Sequence, residues 1–63
     1  MNCYIIVGKK DKKLKCLGDL DLMGYEAAIS YSFDDLQELL NDNKIKGCKV
    51  IEVPVTELYD YVD

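Results

Sequence analysis

A chain of 63 residues, 49% hydrophobic and 32% charged, has room for one domain spanning residues 1–63 and for only a thin core. Twelve acids against eight lysines leave a net charge of −4, and histidine, arginine and tryptophan are absent. This balance excludes a disordered or fibrous chain, and no apolar run approaches the roughly 20 residues of a membrane span. Met1 to Val7 carries neither a basic leader nor a small-residue cleavage site, and the three cysteines are an odd number. Reduced thiols and a cytoplasmic location are therefore expected.

Asn2 to Val7 (NCYIIV) is β-branched and aromatic without polar alternation, which predicts a strand apolar on both faces. Gly8 to Lys12 reads as a charged turn, and Leu14 to Leu17 as a partner strand, with Ile5 opposite Leu14 or Cys16. Gly18 to Gly24 breaks the pattern and is expected to be irregular. Tyr25 to Tyr31 alternates Tyr25, Ala27, Ile29 and Tyr31 against Glu26, Ala28 and Ser30, the period of a third strand. The main helix is predicted from Phe33 to about Asn43. Ser32 is its N-cap, Asp35 stands where a capping box places an acid, and Phe33, Leu36, Leu39 and Leu40 form its apolar stripe. Cys48 to Val55 is the last strand, with Ile51, Val53 and Val55 on one face and Cys48, Val50 and Glu52 on the other; Pro54 belongs at an edge or an end. Thr56 to Val62 predicts a short helix or tail that touches down through Leu58, Tyr59 and Val62.

These elements imply an α+β domain: a small antiparallel sheet of three to four strands with one main helix packed on one face. One helix cannot cover both faces of the first strand, where Cys3, Ile5 and Val7 alternate with Tyr4 and Ile6. The Tyr4 and Ile6 set is then covered either by the C-terminal segment or by a partner, a second copy of the chain included.

The charge is unevenly distributed. Residues 1–18 hold five lysines and one aspartate, and residues 19–63 hold three lysines and eleven acids. The lysines of the Lys9–Lys15 turn lack interleaved aromatic residues and any arginine fork, so direct nucleic-acid binding is not expected of them. A homodimeric regulator that contacts nucleic acid through this turn is an alternative. Without histidine the usual neutral-pH base is missing, and Asp34 with Asp35, or Asp19 with Asp21, read as a helix start and a solvated loop. The chain is not expected to be an enzyme. No cofactor is expected. Cys3, Cys16 and Cys48 are the candidate zinc ligands of a small structural metal protein, although intervals of twelve and thirty-one residues contain no paired-cysteine knuckle. Phosphate-loop and calcium-loop spacings are absent.

The layout of YIIV, the charged turn, LKCLG, AISYSFDDLQELL and KVIEVPV resembles that of short acidic proteins encoded by phages and mobile elements in lysine-rich, arginine-poor hosts. Some of these are anti-CRISPR inhibitors, and the resemblance implies binding to a host RNA-guided or other DNA-handling nuclease that blocks its access to nucleic acid. From the residues themselves, the expected partner-binding set is Asp34, Asp35, Glu38, Asp42, Glu57, Tyr59, Asp60, Tyr61 and Asp63. Carboxylates and aromatic faces together can imitate nucleic acid on a basic groove.

Overall fold

The uninterrupted apolar run at the N-terminus becomes the central strand. In the computed structural model, which describes residues 1–62, β1 (Asn2–Gly8) lies between β2 (Ile29–Ser30) and β3 (Cys48–Pro54) in an antiparallel sheet of order β2-β1-β3. A strand flanked on both edges and covered on both faces has to be apolar throughout, and Cys3, Ile5, Ile6 and Val7 are all essentially inaccessible. β3 pairs with β1 along its whole length, from Asn2 opposite Pro54 to Gly8 opposite Cys48. The architecture is α+β with three strands among the described residues.

The fourth strand is missing because two segments share one edge of β1. The turn closes where the Gly8 N–H donates to the Lys13 carbonyl, and Leu14 stands opposite Val7. Extended, that register would bring Cys16 opposite Ile5. Instead Ile5 pairs with Ile29 and Cys16 bridges to Ala27. Ile6, Lys15 and Ala28 meet at the fork: the Lys15 N–H donates to the Ile6 carbonyl, the Ala28 N–H to Lys15, and the Ile6 N–H to Ala28. The chain then leaves the sheet through a 3-10 helix, Leu17–Leu20, which buries Leu20.

The third strand is shorter than its alternation suggests, and the set that goes inward is that of Ala28. Ala28 is the buried residue, whereas Tyr25 and Tyr31 are 96% and 70% exposed. Ala28 packs beneath Leu36 and Leu40 of the helix, where a small side chain lets the backbones approach.

α1 (Phe33–Asp42) begins as its sequence predicts. The Ser32 hydroxyl accepts the Asp35 N–H at 3.4 Å, and Asp34 and Asp35 sit in the first turn, where the helix dipole favours negative charge. The reciprocal half of a capping box is lacking, because the Ser32 N–H donates to Ser30 Oγ. Lys44, just past the helix, takes a left-handed backbone with φ of 53° and turns the chain toward β3.

Two cores lie on opposite faces of the sheet. On one, Ile6, Leu20, Ala28, Leu36 and Leu40 are buried, with Tyr4, Cys48 and Val50 packed against them. On the other, Cys3, Ile5, Val7 and Val53 are sealed by a C-terminal 3-10 helix, Val55–Tyr61. The covers are thus exchanged relative to expectation: the main helix lies over Tyr4 and Ile6, and the C-terminal segment over Cys3, Ile5 and Val7. Of the expected touchdown residues Leu58 packs inward, and Tyr59 and Val62 do not. Val55, Leu58 and Tyr61 pack inward, while Tyr59 is 88% and Val62 48% exposed. In a 3-10 helix every third side chain eclipses, which aligns positions 55, 58 and 61. Among the described residues both faces of β1 are covered.

Candidate functional site

The acidic residues of α1 occupy the side that the core does not use. At about 100° per residue, Asp34, Asp35, Glu38 and Asp42 fall within an arc of about 100°, and the buried pair Leu36 and Leu40 lies diametrically opposite. All four carboxylates are exposed, and none forms an ion pair with another described residue. The helix contributes no lysine to neutralise them. From Asp34 to Asp42 the stripe is about 12 Å long, or about one carboxylate per 4 Å. One strand of duplex DNA carries a phosphate every 3.4 Å or so of helix axis.

The other expected partner-binding residues do not extend this stripe. Glu57 and Asp60 are exposed on the C-terminal 3-10 helix, across the sheet from α1, and the two helices do not touch. The two groups therefore sit over opposite faces of the sheet, with β1 between the cores beneath them. Tyr59 is free on that far side, but Tyr61 packs on the Cys3 and Val53 core, and its carbonyl accepts the Leu14 N–H at 2.7 Å. Tyr61 is a structural residue. Asp63 lies outside the described residues.

Two aromatic residues outside the expected partner-binding set stand close to the acidic stripe in the chain. Tyr31, 70% exposed, immediately precedes the helix cap, and Phe33 is 41% exposed with its ring edge-on to Tyr4 at 5.7 Å. The signal that could have identified Tyr25 and Tyr31 was Ala28, the small residue of the opposite parity, since Ala27 shares the tyrosines' parity and is exposed with them. Under a helix the small residue goes in and the bulky ones go out.

The three thiols are not brought together. Cys3 is buried opposite Val53 on the C-terminal face, Cys48 is half-buried at the other end of β3 under the main helix, and Cys16 donates to Asp19 Oδ2 at 3.3 Å. Cys16 is not Cys3's neighbour across the first hairpin, because Leu14 and β2 occupy the positions beside β1. Among the described residues no three groups of metal-ligating type converge.

At the basic end, Lys15 Nζ lies 2.7 Å from Asp11 Oδ2, and this ion pair closes the turn. Lys15, followed by the Lys13 N–H, holds the Asp11 carboxyl below its ordinary value, and Asp11 in turn raises Lys15. The Cys16 N–H, followed by the Cys16 thiol, lowers Asp19. These groups organise the turn and the first 3-10 helix. A cleft of about 340 Å³ between that helix and the loop after α1 is bordered by Asp19, Asp21, Lys44, Lys46 and Cys48. Its charged side chains are all solvent-exposed, and it holds no histidine. Among the described residues no helix is long and apolar enough to cross a membrane. No protein family, curated protein or solved structure matches the chain.

Proposed function

We propose that the protein is a stoichiometric, non-enzymatic inhibitor of a nucleic-acid enzyme in a host cytoplasm, an RNA-guided or other DNA-handling nuclease being the partner. The single observation that supports this reading is the unneutralised stripe of Asp34, Asp35, Glu38 and Asp42, mounted opposite Leu36 and Leu40. Averaged over its length, its linear charge density is close to that of a phosphodiester strand. A basic groove built for that strand gains by exchanging it for a folded helix that brings its charges already in place. Tyr31, exposed one residue ahead of the helix cap, adds apolar area at the start of the stripe's helix. Glu57, Tyr59 and Asp60 lie across the sheet and take no part in the same contact.

The test compares the tagged protein with its D34N/D35N/E38Q/D42N variant as bait in host lysate. The wild-type protein should retain a nucleic-acid enzyme, which is released by about 0.5 M salt, where exposed charges are screened within a few ångströms, or by competing duplex DNA. With the purified enzyme, nuclease activity should fall to zero at one equivalent. The reading fails if the neutralised variant retains and inhibits the enzyme equally well, or if DNA does not compete.

A further inference from the structure

The two edges of the sheet are unequal. β2 is two residues long, too short to template another strand, whereas β3 runs seven residues without a bulge. Which of its backbone groups are free follows from the ladder. The Val55 N–H donates to the Met1 carbonyl and the Lys9 N–H to the Gly47 carbonyl, one bond beyond each end of the β1–β3 pairing. In an antiparallel ladder the hydrogen-bonded pairs alternate, so Lys49, Ile51 and Val53 turn their N–H and C=O groups toward β1. Cys48, Val50 and Glu52 turn theirs outward, and no described backbone group bonds them. Pro54 has no N–H and ends the row of donors.

Proteins commonly protect such an edge with charges of one sign, which repel a second copy. This edge carries both signs, sorted by position. Lys44, Lys46 and Lys49 stand at its start, and Glu52 and Glu57 at and beyond its end. A second copy arriving antiparallel sets each basic end against the other's acidic end, whereas a parallel arrival opposes like charges. From the outward backbone groups and this charge order, we infer that β3 pairs antiparallel with β3 of a second copy, about a two-fold axis at Val50, to form a six-stranded sheet. Centring on Val50 uses every outward donor: Val50 exchanges both hydrogen bonds with its counterpart, and Cys48 pairs with Glu52 on either side. The same register brings Lys46 diagonally past the partner copy's Glu52, within reach of a long side chain. The acidic stripe of α1 points away from the sheet, so each copy in the dimer retains it.

The experiment measures solution mass by sedimentation equilibrium from about 10 μM to 1 mM in low salt. The expected result is a concentration-dependent doubling of the 7.2 kDa chain. V50P, which removes an N–H that the monomer does not use, should weaken association by at least about tenfold, the worth of the central pair of hydrogen bonds. Should proline unfold the strand, the charge swap replaces it: K46E and E52K should each weaken the dimer, and K46E/E52K should restore it. Amide exchange at Val50 and Glu52 should slow with rising concentration. A monomer throughout the range overturns the inference, as does a dimer indifferent to these variants or a β3 edge protected only by a different protein. Association that survives D34N/D35N/E38Q/D42N while nuclease retention is lost separates this contact from the inhibitory one.

Discussion

The assignment of the C-terminal 3-10 helix as a lid can be tested by comparing two neighbouring residues. Leu58 is half-buried against Cys3, Ile5, Val7 and Val53, whereas Tyr59 is 88% exposed. A fully buried Leu→Ala change costs about 2–5 kcal/mol, so half-burial scales to about 1.5 kcal/mol for Leu58→Ala. A domain of 63 residues has about 3–9 kcal/mol in all, so this removes a sixth to a half of it. At about 4–8 °C per kcal/mol for a chain of this size, the melting temperature should fall by about 6–12 °C. Tyr59→Ala removes the larger side chain but exposes nothing new, and should stay within about 0.5 kcal/mol of the parent. Thermal melts followed by circular dichroism, with urea titrations to confirm an unchanged slope, measure both. Equal effects of the two variants, or a Leu58→Ala melt within about 2 °C of the parent, would refute the lid and leave the Ile5 face without a cover.

Further measurements examine the local structure. Ser32→Ala should cost about 0.5–1 kcal/mol, toward the low end of N-cap losses because its hydrogen bond is long, and Ser32→Asp should recover it. Asp11 and Asp19 have folded pKa values below their ordinary 3.8, so the stability they add is present above that value and is lost as the pH falls through the folded values. Urea midpoints should therefore drop as the pH falls through and below 3.8, and D11N/D19N should flatten the slope. At Lys44, held at φ 53°, glycine should stabilise by about 0.5–1 kcal/mol. At Gly47, with φ +82° and nothing within 4 Å of an added Cβ, alanine should cost about 1 kcal/mol through the backbone alone. Urea unfolding reads both.

The elements legible in the sequence were those whose signals were local and consistent. Ser32, the two following aspartates and the Leu36 and Leu40 spacing defined α1 almost to the residue, and the parity of β3 was correct, with Val50 and Cys48 on one face and Ile51 and Val53 on the other. What alternation could not supply was direction. A period of two divides Tyr25–Tyr31 into two sets without saying which goes inward, and size under the helix decided for Ala28. Likewise both faces of β1 were apolar, so either could have received α1. In the C-terminal segment Leu58 touches down as expected, but a short helix or tail leaves open which neighbours go in with it; the spacing of three in Val55, Leu58 and Tyr61 carried the 3-10 signal. The acidic stripe was legible because helical periodicity alone fixes which α1 carboxylates share a face. Its separation from Glu57 and Asp60 depended on the three-layer arrangement, which no local pattern encodes.

The fork where Ile6, Lys15 and Ala28 trade hydrogen bonds ties three stretches of chain that are far apart in order of synthesis. The turn that precedes Lys15 can close early, but the knot tightens only once Ala28 has arrived, and Ala28 is shielded only after α1 settles upon it. Assembly of this miniature protein should therefore be all-or-none, with no surviving half, even though its interior is split by a partition.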